Sequence, residues 1–460
     1  MKNFMKLLLF FYIVTLTMNP TKIKAEIIPF NLGEVNIHHE KKIIPLKLSG
    51  IISVPKTEFE VPIVFIVPDT DETQDTTKRY YKLLNDLNEV PAIGVLLDLS
   101  PLNEIKDVDE DLIATVFDYY RYFLNRAIQG ESLAFGKDLF NKGTLSEVVI
   151  LGCGENVDGA YRIIEKLHEK QMDVKGAMFI EPRRNKEVPK INLPDIPTSI
   201  VLPYSLLQKN AISLSLFQNN RKEKDRQSIT SMIFVQQETS LLNCDELEYI
   251  DFVNQYANAF ILNIFKENQK MVGLSALEIA PQTMFDTTVN SSLSVPEALV
   301  ILNPRKEKDP HLNVLGGTNR FTNLRLDHYR GLVDTYKLNW EAENSKLEIE
   351  LPKEYRDLTN FQALSLYINY HNDKNLPLSF IVEFIDMEGQ SQQVEINERQ
   401  PLNYISGTAI PFYNERIIID ELMGVDITSI KYINFLFKDK NAGELNIGDI
   451  SLIKDSNCEK

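Results

Sequence analysis

Cysteine is scarce. The chain has three among 460 residues, at positions 153, 244 and 458, too few for a disulfide framework. Histidine is nearly as rare: there are six, and none in residues 169–310, which leaves that stretch without an imidazole. Basic residues are also in deficit, with 49 Lys and Arg against 65 Asp and Glu and a net charge of −16. A chain of this sign repels phosphate backbones, which argues against a nucleic-acid partner. Internal repeats and low-complexity tracts are absent.

What is present begins with an export signal. Lys2 and Lys6 flank the start of an apolar run over residues 7–18, and a polar stretch then leads to Ala25, a small residue suited to cleavage. The run is shorter than the roughly 20 apolar residues that a spanning helix needs. No cysteine follows it closely, so lipid anchoring is not expected. Loss of residues 1–25 removes four lysines (Lys2, Lys6, Lys22 and Lys24) and takes the net charge from −16 to about −20. The expectation is a signal peptide over 1–25 and a secreted chain with no stable membrane span. Surface acidity keeps such a chain soluble.

A hydrophobic share of 43% and a charged share of 25% are ordinary for a folded protein, and the length predicts two domains. Residues 26–54 alternate apolar and polar, which predicts an antiparallel hairpin. His38 and His39 stand beside Glu40 near its turn. Neighbouring strand residues face opposite ways, so the two histidines are read as exposed turn residues and no metal site is expected. A βα rhythm follows: buried strands at 62–67 and 92–99, an amphipathic helix over 75–87, and a second with Leu112, Val116, Tyr120, Phe123 and Ala127 at helical spacing. Further short apolar runs lie at 176–180, 200–202 and 231–235, before a helix over 244–265. Alternation of this kind predicts an α/β domain over 26–270, its sheet mostly parallel with helices on both faces.

The stretch with most chemical interest is Val148-Val149-Ile150-Leu151-Gly152-Cys153-Gly154-Glu155-Asn156-Val157-Asp158-Gly159-Ala160-Tyr161. A β-branched run ends in small residues and a helical pattern starts at once, which predicts a strand, a sharp turn and a helix. Nucleophile elbows of the form Gly-x-Ser-x-Gly have this layout. With Gly152 as the first glycine, Gly154 takes the serine's place and Asn156 that of the last glycine. Beyond this domain, residues 271–330 lose periodicity and read as an irregular connector. Residues 331–460 carry apolar runs at 333–340, 346–351, 363–370, 379–385, 393–396, 416–419, 430–437 and 445–453, which predict an all-β sandwich.

This order, together with Ile196-Pro197-Thr198-Ser199-Ile200-Val201-Leu202-Pro203-Tyr204 and a tail containing Gly448-Asp449-Ile450-Ser451-Leu452-Ile453, resembles a group of secreted bacterial α/β-hydrolases. These are similar to platelet-activating-factor acetylhydrolases and chlorophyllase-like esterases, with a C-terminal β domain like carbohydrate-binding modules. The resemblance implies an α/β-hydrolase-like sheet and a triad whose positions are degenerate in this chain. Gly154 stands for the nucleophile. No carboxylate occurs in Tyr204-Ser205-Leu206-Leu207-Gln208, so the acid position is represented by Leu206, and Thr239 stands for the base. Asp69, Thr70, Asp71 and Glu72 occupy the oxyanion loop, where negative charge opposes acyl transfer. In that fold the loops carrying Cys153 and Cys244 lie on one sheet edge, so either a bridge between them or two buried thiols fits.

Other chemistry on the same frame is weaker. Cys153 sits one position early for a thiolate nucleophile and lacks a base. His168, beside Leu167 and Glu169, reads as a helix-terminal side chain. Asp69, Asp71, Glu72 and Asp75, and separately Asp107, Asp109, Glu110 and Asp111, read as helix N-termini. Glu155 and Asp158 fit an acid/base pair or simply two acids at a helix start. Trp340, Tyr367, Tyr370 and Tyr413 fit either a sugar-stacking face or a sandwich core. The binding candidates are therefore Cys153, Glu155, Asp69, Asp71, Trp340 and Tyr367. The leading expectation is a body without hydrolytic chemistry that binds or scaffolds, without cofactor, for a polysaccharide or lipid-like ligand. The alternatives are an active carboxylic-ester hydrolase and an extracellular glycan-binding protein.

Overall fold

The structure is a computed structural model that describes residues 25–40, 42–69, 75–87, 91–105, 108–132, 134–136, 138–182, 193–203, 217, 228–235, 246–266, 281–294, 298–329, 334–371, 379–397, 412–438 and 442–454. Residues 1–24 of the predicted signal segment lie outside them. The chain forms two compact units, with the division between Gly176 and Ala177.

The first unit opens with strands β1 (Ala25–His39) and β2 (Lys42–Pro55), paired antiparallel, with a register shift where Gly33 adopts φ +84°. Strands β3 (Val61–Val67), β4 (Ile93–Leu97) and β5 (Gly143–Cys153) follow, giving the order β1-β2-β4-β3-β5. The β3–β4 and β3–β5 pairings are parallel and β2–β4 is antiparallel. All five residues of β4 are buried, as a strand covered on both faces requires. Among the described residues three helices belong here: α1 (Asp75–Asp86), α2 (Glu110–Ile128) and α3 (Val157–Glu169). Helix α2 buries Leu112, Val116, Tyr120, Leu124 and Ala127 at helical spacing, and Asp109 caps its start by accepting the Leu112 N–H at 2.7 Å. The Tyr120 hydroxyl donates to Ser49 O at 2.8 Å. Helices α2 and α3 approach closely at Gly159, where a Cβ would lie 2.6 Å from Ile113 Cγ2.

Strand β6 (Val174–Ile180) spans the division, and from Ala177 on it runs parallel with β7 (Thr198–Pro203), itself parallel with β8 (Thr230–Val235); β9 (Thr283–Met284) and β10 (Thr287–Ser294) follow, the latter antiparallel to β8. Helix α4 (Glu246–Lys266) places the Tyr256 hydroxyl 2.9 Å from Ser199 Oγ, with Ser231 Oγ 2.8 Å further on, a buried network joining helix and strands.

The remaining strands are β11 (Leu299–Leu302), β12 (Asn319–Thr322), β13 (Arg325–Tyr329), β14 (Thr335–Trp340), β15 (Ser345–Glu350), β16 (Phe361–His371), β17 (Ser379–Asp386), β18 (Ser391–Asn397), β19 (Tyr413–Ile418), β20 (Ile430–Phe437) and β21 (Gly443–Lys454). They form two sheets, one ordered β13-β14-β21-β16-β19 with β11 beside β21, the other β12-β15-β20-β17-β18. Every described pairing in them is antiparallel. A single apolar core links both sheets through Leu338, Trp340, Leu347, Ile349, Leu366 and Phe435. Alternate burial along β15 and β17 is the period-two signature of a sheet with one face inside.

These observations correct the α/β expectation. Among the described residues the protein is predominantly β, with 50% strand, 23% helix and four α-helices. Among the described pairings, those within β4-β3-β5 and β6-β7-β8 are parallel, whereas β2 pairs antiparallel with β4 and β10 antiparallel with β8. A mostly parallel α/β-hydrolase sheet with helices on both faces is therefore not what the chain builds. Two features of the sequence account for the difference. The N-terminal alternating run forms two strands of 15 and 14 residues. The stretch read as an irregular connector supplies β9 to β13, most of them two to five residues long and too short to show a period.

Candidate functional site

Strand β5 ends at Cys153, a 3-10 turn covers Gly154–Asn156, and α3 begins at Val157, which is the predicted strand, turn and helix. Gly154 has φ +58°, in the left-handed region that favours glycine. A Cβ on it would overlap the carboxylate of Asp69, two residues beyond the end of β3. The same carboxylate accepts the Glu155 N–H at 3.3 Å through Oδ1. Asn156 Nδ2 donates to Pro68 O at 2.6 Å, and the Asp69 N–H donates to the Tyr80 hydroxyl at 3.3 Å. Asp69 is 7% exposed, so this contact is an internal one.

The apex of the turn thus carries no hydroxyl or thiol, and a buried carboxyl group stands over it. A turn of this type offers backbone N–H groups to a developing oxyanion. Here the Glu155 N–H is directed at an acid instead. Cys153 is buried with extended backbone, one residue before the apex. Asp158 lies in the first turn of α3, and His168 is exposed in its last turn. The site therefore brings Asp69, Gly154 and Glu155 together. Leu206, Thr239, Asp71 and Cys244 lie outside the described residues.

The aromatic candidates are placed elsewhere. Trp340 is 2% exposed and stacks on Phe437 at 4.3 Å inside the sandwich core. Tyr413 is also in that core. Tyr367 faces the opposite side of its sheet, fully buried against Phe217 and Phe412, with ring centroids 6.2 and 5.1 Å away. None of the three presents a ring to solvent. Strand β10 reaches the same sheet face, where Asn414 Oδ1 accepts the Leu293 N–H at 2.7 Å and Asn414 Nδ2 donates to Ser365 at 2.9 Å.

Further along that face, β13, β14 and β21 carry a ledge of partly exposed polar residues. Asp327, Lys337 and Asn446 are cross-strand partners in one row, and Arg325, Asn339 and Glu444 in the next. Arg325 Nη2 lies 3.2 Å from Asp327 Oδ2, Lys337 pairs with Glu444, and Asn446 Nδ2 donates to Glu444 Oε1 at 2.8 Å. Tyr329, on the same side of β13, is 53% exposed. Period-two polarity along β13 and β14 carries this signal, but only the sheet order shows that the rows are adjacent. Nearby, burial pushes the Glu307 carboxyl up to about 7, although its Oε1 accepts the Asn303 N–H at 2.8 Å. Burial and the neighbouring Glu307 charge also raise the Tyr336 phenol.

No family model and no curated protein matches this chain. Solved structures similar in part include PfGH50B, at 11% identity and TM-score 0.22, covering 31% of this chain and 23% of that one. The family 11 carbohydrate-binding module of the cellulosomal cellulase Lic26A-Cel5E of Clostridium thermocellum is similar at 12% identity and TM-score 0.25, covering 34% of this chain and 94% of that one. The chain thus spans under a quarter of the length of PfGH50B. Nothing in these comparisons bears on platelet-activating-factor acetylhydrolases or chlorophyllase-like enzymes. Among the described residues no helix is long and apolar enough to cross a membrane.

Proposed function

We propose that this chain is an exported protein that works by binding or scaffolding and not by acyl transfer. One observation carries the reading: Asp69 fills the space over Gly154 that a nucleophilic side chain would need. Attack on a carbonyl needs a nucleophile, a base to activate it and donors for the oxyanion. At this turn the first is replaced by hydrogen and one donor is turned to a carboxylate. Export rests on the charged and apolar character of residues 1–18. The test is labelling with a fluorophosphonate probe and hydrolysis of short nitrophenyl esters by the folded chain. Neither is expected above a heat-inactivated control. Turnover that disappears when one side chain around Gly154 is replaced would end the proposal.

A polysaccharide is the ligand class that the polar ledge favours. Sugars are recognised by fixed donors and acceptors beside an aromatic face, and Lys337, Asn339, Glu444 and Asn446, on the same sheet face as exposed Tyr329, supply both. A lipid-like ligand would want an apolar cavity in place of these charges. Retardation of the full chain in native gels containing soluble xylan, mannan or β-glucan is expected, and Tyr329→Ala with Lys337→Ala should abolish it. Unchanged migration in all three polymers would remove this reading.

A further inference from the structure

His39 ends β1 and Glu40 follows it in the hairpin turn, while Asp109 caps α2, seventy positions along the chain. The fold brings His39 Nε2 to 3.2 Å from Asp109 Oδ2. One ligand atom from each of His39, Glu40 and Asp109 lies within 4.8 Å of the others, and no other group of three His, Cys, Asp or Glu side chains converges in this way among the described residues. We infer that these three side chains bind a divalent transition-metal ion, zinc being the best match to the donor set.

The chemistry supports that choice. An imidazole nitrogen with two carboxylates suits zinc, whereas calcium and magnesium prefer all-oxygen sites. Zinc–nitrogen and zinc–oxygen bonds are about 2.0–2.2 Å, so ligand atoms on one tetrahedral ion stand roughly 3.4 Å apart. The His39–Asp109 spacing already meets this, and Glu40, within 4.8 Å of both, needs a shift of about 1.4 Å at most. Glu40 is exposed on a turn, so rotation of its side chain supplies that shift. Asp109 divides its work: Oδ1 caps the helix at Leu112 N, and Oδ2 faces His39. His39 has a side chain only 15% exposed, which holds its ring in place before the ion arrives. Three protein ligands leave a position for water, and the positive end of α2 opposes a cation, so moderate affinity is expected. The ion would pin the hairpin tip to the start of α2.

Three features set this apart from a plain His–Asp ion pair: stoichiometry, dependence on Glu40, and preference for zinc over calcium. The full chain, stripped with EDTA, is titrated with zinc against a chromophoric chelator and followed in parallel by thermal unfolding. One equivalent bound at micromolar Kd is expected, with a zinc-dependent rise in Tm and little response to calcium. His39→Ala and Glu40→Gln should each weaken binding by about tenfold or more and remove the Tm rise. Asp109→Asn keeps a capping side chain and should weaken binding without unfolding α2. If His39→Ala does not fold, His39→Gln replaces it. Absence of stoichiometric zinc, or an affinity unchanged by loss of His39 or Glu40, overturns the inference.

Discussion

Asp69 Oδ2 occupies the position that the Cβ of any residue but glycine at 154 would take. The two residues are 85 positions apart and come together because β3 and β5 are parallel neighbours, with Val67 opposite Gly152. Installing the missing nucleophile should therefore fail. Gly154→Ser adds a side chain at φ +58° and forces Asp69 aside, each a cost of about 1–3 kcal/mol. Urea denaturation should show a loss of at least about 2 kcal/mol, and Asp69→Ala in the same background should restore part of it. A serine variant as stable as the parent would mean that the carboxylate does not stand over the turn.

The chain has one tryptophan, so its fluorescence reports on the sandwich alone. Trp340 lies between Phe437 and the bare Cα of Gly443, where an added Cβ would overlap the indole. Gly443→Ala should push the ring out of place, shifting its emission to the red and lowering stability by about 1–3 kcal/mol. Emission identical to the parent's would refute the packing described.

What the sequence revealed is what depends on nearest neighbours. Apolar runs at 62–67 and 92–99 read as strands buried on both faces, and β3 and β4 are such strands. The eight runs read in residues 331–460 fall on β14 to β21, because one-sided burial writes itself as alternation. Strands of two to five residues carry too little pattern, so β9 and β11 to β13 stayed hidden. The glycine at 154 was visible as an absence. That Asp69 covers it, and that Asp109 meets His39, depends on contacts 85 and seventy residues apart, which no local period encodes. Trp340 and Tyr367 read more readily as core than as ligand face, and both are buried.

Asp109 caps a 19-residue helix through the 2.7 Å bond from Leu112 N. Asp109→Ala leaves that N–H without its side-chain acceptor and should cost about 1 kcal/mol, while Asp109→Asn, an equally good cap, should cost much less. Metal-free protein is the sample, so that capping is measured apart from zinc. Equal losses for the two variants would show that charge, and not the capping oxygen, is what matters.

Glu307 gives the protein a pH dependence of a definite sign. Burial is the main cause that lifts its carboxyl from 4.5 to about 7, and the groups that face it are the Asn303 N–H and the Tyr336 phenol. The folded chain therefore keeps a proton that the unfolded chain has released. This group's contribution to stability is fully present below about pH 4.5 and is lost as pH rises through about 7. Glu307→Gln keeps an oxygen for the Asn303 N–H and never ionises. Relative to the parent, the variant should gain stability steadily from about pH 5 to about pH 8 in urea denaturation. A difference between the two proteins that stays constant over that range would show that Glu307 titrates as an ordinary, solvated carboxyl.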